Sequence, residues 1–344
     1  MNKGLLAGLL LTGVLLGASG VIVATGGIDL AAISRTVPGS GASSDQGPAT
    51  ASTPSSGPVR DAAYDAFEQG QYLTALSLAE QRAAMGDPQA HTLVARIYEG
   101  GLGVGKDDVT AARWYARAAE LGDVPAMLAL GNMMAEGRGT GKDRRAAAEL
   151  YEKAAAAGDP LANYNLGLLF LKGDGKPENP YRAAKHIQYA AEKGIAQAQY
   201  DLAALYQTGT GVPHDALEAA RWMSKAAAQG HVAAEYEYAV MLLRGFGLKA
   251  DEAKAMTLLK SAANKGVPGA QNRLAHAHLE GLGVEKNTAE AAKWRILARK
   301  GGIEDGKLDL LLQSLSEAER LAAQQAAEDW METGSLRLPN ERPF

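Results

Sequence analysis

Side chains able to do chemistry are few, and their spacing points away from catalysis. The available imidazoles are His91, His186, His214, His231, His276 and His278. His276 and His278 are two apart, which on a helix turns them about 200° from each other, so they cannot chelate one ion together. No metal site is expected. Carboxylates are numerous, but none makes an acid/base pair at a recognisable spacing, and no G-x-S-x-G nucleophile elbow occurs. With no cysteine, disulfides, thiolate ligands, cysteine nucleophiles and lipidation of an N-terminal cysteine are all excluded. One stretch imitates a phosphate loop, with Gly100, four residues, then Gly105 and Lys106. Such a loop needs a Ser or Thr after the lysine to hold magnesium, a strand before it and a helix after it. Asp107 stands where the hydroxyl should be, and an acid there repels phosphate. The preceding residues have a helical pattern, so the stretch reads as a turn between helices, and no cofactor is expected.

The elements that position these residues emerge from internal repetition. Glycines recur every 36 residues at 101, 137, 173, 209, 245 and 281, again at 103, 139, 175, 211, 247 and 283, and again at 122, 158, 194, 230, 266 and 302. Alanines keep the same period from Ala90 to Ala270, from Ala111 to Ala291 and from Ala118 to Ala298. Six tandem units follow.

Each unit reads as two helices. In the first, helix A is expected from about Pro88 to Tyr98, with Asp87 as its N-cap and proline at the first helical position. Helix B is expected from about Val109 to Leu121, with Gly122 taking the left-handed residue just past its end. Ala90, Val94, Ala95, Ile97 and Tyr98 fall on one side of helix A at 100° per residue. The third unit has Ala162, Leu166, Gly167, Leu169 and Phe170 there. Small residues at 95, 131, 167, 203, 239 and 275 let a facing helix come close. Helix B packs Ala111, Trp114, Ala118 and Ala119, with Trp222 and Trp294 in register with Trp114. No pair can bury its face alone, so the units must stack. The expected fold is all-α: a right-handed superhelical α/α solenoid of six 36-residue helix-pair repeats over 88–302, capped by helices at both ends. Ala75, Leu78, Ala83 and Gly86 form half a unit, which with a helix near Asp61 to Glu68 makes an N-terminal cap over 61–87. At the other end, over 303–333, a helix near Lys307 to Gln313 precedes one begun by Ser316 and Glu319, a capping box. Residues 334–344 form a tail.

Composition bounds the remaining classes. The chain has 344 residues, 47% hydrophobic but only 6% aromatic, with 40 glycines, which suits close-packed alanine-rich helices. A formal charge of −4 and the lack of any basic block of five or more make nucleic acid an unexpected partner. Gly4 to Ile28 carries no charge, within a leading segment 1–35. It is long enough to span a bilayer, and Lys3 favours a cytoplasmic N-terminus. The same segment also reads as a signal peptide with Leu5 to Leu16 as its apolar region and cleavage near Gly17 to Ser19. Both readings export the rest, leaving it periplasmic and anchored by residues 4–28, or secreted after cleavage. Residues 36–60 are rich in Pro, Ser and Gly and read as a disordered linker.

The pattern A-x-x-x-L-[AG]-x-x-[YF]-x-x-G-x-G followed by A-x-x-W-x-x-x-A-A-x-x-G resembles the Sel-one-like repeat, a relative of the tetratricopeptide repeat. Its clearest copy is Ala162 to Gly175 with Ala183 to Gly194, and it extends over Asp61 to about Gly302. His186 and Leu150 depart from it at the tryptophan position, and Arg299 replaces the second alanine of the last helix B. The resemblance implies an adaptor in multiprotein assemblies. Exported bacterial relatives are associated with envelope assembly, exopolysaccharide regulation or host interaction, which adds envelope polysaccharide to protein and peptide as partner classes. Cysteine-rich relatives linked to β-lactam hydrolysis supply the alternative of an envelope enzyme acting on β-lactams or peptidoglycan, and a regulator sequestering a periplasmic sensor domain is another.

The binding surface expected for a non-catalytic scaffold of the cell envelope is a strip on helix A. Tyr164 with Leu168, Tyr200 with Ala204 and Tyr236 with Val240 lie opposite the expected buried face. Three tyrosines at 36-residue spacing would line a groove as amphipathic anchors; alternatively they pack between neighbouring repeats. Thr92 with Arg96, and Asn272 with His276, would make the ends of the strip more polar.

Overall fold

The computed structural model describes residues 61–335, and all regular structure among them is helical. The N-terminal anchor or signal peptide, the linker, and the residues after 335 lie outside the described residues. Among the described residues no helix is long and apolar enough to cross a membrane.

The chain divides into two compact units after Ala157. The first holds α1 (Ala62–Glu68), α2 (Tyr72–Ala84), α3 (Pro88–Gly100), α4 (Asp108–Glu120), α5 (Val124–Glu136) and α6 (Arg144–Ala156). The second holds α7 (Pro160–Lys172), α8 (Pro180–Glu192), α9 (Ala196–Thr208), α10 (Ala216–Ala228), α11 (Val232–Arg244), α12 (Glu252–Asn264), α13 (Pro268–Glu280), α14 (Thr288–Lys300), α15 (Gly306–Ser314) and α16 (Glu317–Ser335). The six helix pairs are α3 to α14. Helix A ends at Gly100 rather than Tyr98, since the left-handed residue that stops it is Gly101 (φ 63°).

Capping explains why the helices start where they do. Asp87, Asp123 and Asp159 accept backbone N–H groups at the starts of α3, α5 and α7. The B helices have their own set, Asp107, Asp143, Asn179, Asp215, Asp251 and Asn287, each capping through its side chain. These six share the 36-residue spacing of the glycines. The backbone N–H of each also donates to a carbonyl late in the preceding A helix, as Asp107 does to Tyr98 at 2.9 Å, so the A-to-B loop is closed at both ends.

The glycine at 139 and 247 has a steric reason beyond its positive φ. A Cβ there would lie 2.0 Å from the Asp108 carbonyl oxygen at Gly139 and 1.9 Å from that of Ala216 at Gly247. The loop of one repeat therefore rests on the backbone that opens helix B of the repeat before it, with no room for a side chain.

Within a repeat, the small residue of helix A seats a large residue of helix B. A Cβ on Gly131 would fall 2.6 Å from Tyr151 Cε1, and one on Gly167 2.7 Å from Ile187 Cγ1. In the first unit Leu93, Val94 and Ile97 pack with Ala63, Ala75 and Ala79 of the N-terminal helices. A second cluster joins Ala95, Tyr115, Leu130 and Met133. The second unit has one extended cluster in which Ile187, Leu202, Met223, Leu259 and Leu274 are each buried; each such side chain contributes about 1.5–3 kcal/mol. At the C-terminal end the Ser316 capping box forms, with Ser316 N–H donating to Glu319 Oε2 at 2.9 Å and Glu319 N–H donating to Ser316 Oγ at 3.3 Å.

Candidate interaction surface

The phosphate-loop imitation is disposed of by its own aspartate. Asp107 Oδ1 accepts the N–H groups of Val109 and Thr110, both at 3.0 Å, and Oδ2 accepts the Thr110 hydroxyl at 2.6 Å. The Thr110 hydroxyl, then its amide, hold this carboxyl below the usual aspartate range. The amides a phosphate would need are thus taken by the chain itself, and a helix, α3, precedes the loop.

The tyrosine strip lies entirely in the second unit, and its geometry differs from the one-sided helix expected. Helix α7 buries residues 162–167, Leu169 and Phe170, so nearly its whole circumference is covered. Tyr164 is only 4% exposed, and its hydroxyl donates to Asp201 Oδ2 on α9 at 2.7 Å. Burial, then the adjacent carboxylate, push this phenol far up, so it remains a donor. Tyr164 is therefore a strut between repeats and offers no free face.

Tyr200 and Tyr236 stay half-buried. The Tyr200 ring stacks on His231, with centroids 4.7 Å apart. His231 caps α11 by accepting Ala234 N–H on Nδ1, which leaves Nε2 to donate to Gln197 Oε1 at 2.8 Å. Burial pushes the His231 imidazole down, consistent with this neutral tautomer. Tyr236 accepts from Arg273 Nε at 3.3 Å, and the guanidinium sits 5.8 Å from its ring centre. Tyr164 to Asp201 and Tyr236 to Arg273 share a separation of 37 residues; Glu237, at the same offset from Tyr200, adds to the burial that raises that phenol.

Leu168, Ala204 and Val240 lie at one register beside these tyrosines, each half-buried. The strip is thus a row of aliphatic and aromatic side chains edged by Asp201, Glu237 and Arg273. Burial raises the carboxyls of both Asp201 and Glu237.

The polar ends behave differently from the expectation. In the first unit Thr92 is buried and hydrogen-bonds the Asp123 carboxylate, while the Arg96 guanidinium lies 5.1 Å from the centre of the Phe67 ring. In the second unit His276 Nε2 is 2.6 Å from Asp305 Oδ2, and Asn272 Nδ2 donates to the same oxygen at 2.8 Å. Asp305 caps α15, so the far end of the strip is taken up by the closing helix. Partial burial would raise the Asp305 carboxyl, yet the bonds from Asn272, His276 and the Leu308 amide together hold it low.

Three more histidines are held by neighbouring groups, while His214 is exposed in its A-to-B loop. His91 is buried with Nδ1 2.7 Å from the Asp87 carbonyl, His186 stacks on Phe170 with Nδ1 3.0 Å from Asn163 Oδ1, and His278 Nδ1 is 3.2 Å from the Glu285 carbonyl. Among the described residues no group of three or more His, Asp or Glu could hold a metal ion.

One strongly placed residue was not anticipated. Arg295 is 1% exposed; its Nη2 meets Asp309 Oδ1 at 2.7 Å, and its Nη1 donates to Asn272 Oδ1 at 3.1 Å and to the Ile303 carbonyl at 2.9 Å. Its register matches Ile187, Met223 and Leu259. A charge at a position that is apolar in the three preceding repeats is the signal that would have revealed it.

Paired 13-residue helices closed by glycine and capped by aspartate define an α/α repeat protein of the solenoid class. The Sel1 repeat model matches six consecutive segments, 88–123, 124–159, 160–195, 196–231, 232–267 and 268–302, and the chain belongs to that family. A Sel1 repeat protein from Oxalobacter formigenes is similar at 28% identity and a TM-score of 0.62, over 70% of this chain and 98% of that one. A protective antigen of uropathogenic Escherichia coli displaying an SLR fold is similar in fold at 24% identity and a TM-score of 0.55, over 83% of this chain and 72% of that one. No curated protein matches the chain. Sel1 repeats commonly mediate protein–protein interaction, and the family is typically non-catalytic.

Proposed function

We propose that this chain is a non-catalytic interaction scaffold of the bacterial cell envelope that receives a segment of a partner protein along the A-helix strip of its second unit. The observation that carries this is the half-buried row of Leu168, Ala204 and Val240 beside Tyr200 and Tyr236. The two rings are already fixed by His231 and Arg273, so a partner meets pre-ordered aromatic surface and loses little rotamer entropy in binding it. Asp201, Glu237 and Arg273 along the edge supply polar contacts that would set register.

The envelope location rests on the uncharged run from Gly4 to Ile28. With the 36–60 linker it would tether the repeats near a membrane and raise their effective concentration toward partners anchored beside them. Sequestration of a sensor's periplasmic domain is one form this scaffolding can take.

Photocrosslinking in intact cells tests the reading. A photoreactive residue at Ala204 is expected to give a discrete protein adduct, and one at the exposed Lys260 of α12 is expected to give none. Adducts of equal yield at both sites, or none at Ala204, would reject the strip.

A further inference from the structure

The sixth repeat departs from its neighbours where the buried stripe of helix B ends. Ala191, Ala227 and Ala263 are buried at this position in α8, α10 and α12, whereas α14 carries an exposed Arg299. After α14 the chain supplies α15 and α16 in place of another repeat. Helix α15 is held to α14 by the Arg295–Asp309 pair, and α16 by Trp330 set edge-on against Trp294, with centroids 6.0 Å apart. Between them Leu315 is extended (φ −70°, ψ 145°). The three helices border an open cleft of about 520 Å³, lined chiefly by Ile296, Arg299, Lys300, Leu312, Arg320 and Gln324.

Three cations border this cleft, and none has a carboxylate partner among the described residues. Arg320 donates to the Leu315 carbonyl at 3.4 Å, and the Lys300 ammonium rests 3.2 Å from Met331 Sδ. The acid of the cleft, Asp309, is matched by the buried Arg295. Ile296 and Leu312 add apolar surface, and the volume lies in the range of ligand pockets. The N-terminus of α16 is occupied by its own capping box, so an inorganic anion would depend on side chains alone and leave the apolar wall unused.

We infer that this cleft is a second binding site, separate from the A-helix strip, for an acidic peptide segment that also carries aliphatic side chains. Its carboxylates would pair with Arg299, Arg320 and Lys300, where planar guanidinium groups favour two-point contact. Its aliphatic side chains would lie on Ile296 and Leu312.

Fluorescence anisotropy with the full-length chain tests this. The probe is a labelled peptide of alternating leucine and glutamate, with a leucine–glutamine peptide as control. Saturable binding of the glutamate peptide is expected, weakening with added salt as exposed ion pairs do. The double variant Arg299→Ala with Arg320→Ala should weaken it about 10-fold or more, while lysine at both positions, which keeps the charge but loses the two-point contact, should fall between the alanine variant and the parent. Both arginines are exposed, so the helical circular dichroism should be unchanged. Tyr200→Ala with Tyr236→Ala should leave this affinity as it was, which separates the cleft from the proposed strip. Equal binding of the glutamine peptide, or no effect of the arginine variant, would overturn the site. Loss of binding in the tyrosine variant would overturn its separateness, and full displacement by millimolar inorganic phosphate would overturn the assignment to a peptide.

Discussion

At one inward position of helix B, the interior repeats of the second unit hold Ile187, Met223 and Leu259, whereas the last repeat holds Arg295, and all four are buried. The difference is one of direction. Apolar contact is non-directional, so each interior repeat can accept another copy against it. A buried guanidinium is satisfied only where Asp309, Asn272 and the Ile303 carbonyl are placed for it. The interior repeats are built to continue, and the sixth is built to stop.

The most severe way to break that comparison is to give an interior repeat the terminal residue. Leu259→Arg buries a charge in an apolar cluster and should unfold the second unit, a loss of several kcal/mol, seen as a collapse of its urea transition. Next in size, Arg295→Ala should cost about 2–3 kcal/mol, because it empties a buried site and leaves the Asn272 and Ile303 oxygens without this donor, while Asp309, 32% exposed, returns to water. Arg295→Leu restores the volume and should cost less, and the gap between the two urea midpoints measures how much of the closure is directed.

Two loop glycines sharpen the contrast at smaller scale. Both have positive φ, 73° at Gly247 and 66° at Gly283. A Cβ at Gly247 meets a backbone carbonyl at 1.9 Å, whereas at Gly283 it meets Met256 Cγ at 2.6 Å, on a side chain able to move. Gly283→Ala should therefore cost about 1–2 kcal/mol, the usual left-handed penalty, and Gly247→Ala clearly more.

The smallest effects are in pH dependence, and they have opposite signs. The Asp201 carboxyl is raised by burial, so its contribution is present below the unfolded pKa and is lost as pH rises through the folded one. Asp201→Asn should stabilise the chain at neutral pH, with the advantage shrinking on acidification. Asp305 is held low, so its contribution is present above the unfolded pKa and is lost as pH falls through the folded one. Asp305→Asn should destabilise at neutral pH, with the deficit shrinking in acid. Thermal midpoints across the carboxylate range separate the two.

The repeat architecture was legible because each glycine and small alanine answers a local demand that recurs every 36 residues. The Ser316 capping box was legible for the same reason, its two partners being three residues apart. The Asp107 to Asn287 caps carried an equally regular signal and emerged only once their hydrogen bonds to helix N-termini were seen. Tyr164 was legible only as the alternative of packing between neighbouring repeats: its partner, Asp201, lies in the next repeat, and a face drawn from one helix cannot choose between a groove and a contact 37 residues away. Arg295 was masked by the same limit, since Asp309 and the Ile303 carbonyl lie beyond the last repeat.

The interaction strip is tested most directly with the partner captured at Ala204. Titrated against that partner, Tyr200→Ala should weaken binding about 10-fold or more, as loss of an ordered aromatic anchor does, while Tyr200→Phe, which keeps the ring on His231, should stay near the parent. Tyr164 is unsuitable for this purpose, since its loss would disturb the packing of repeats. An unchanged affinity for Tyr200→Ala in a fully folded chain would contradict the proposed role of the strip.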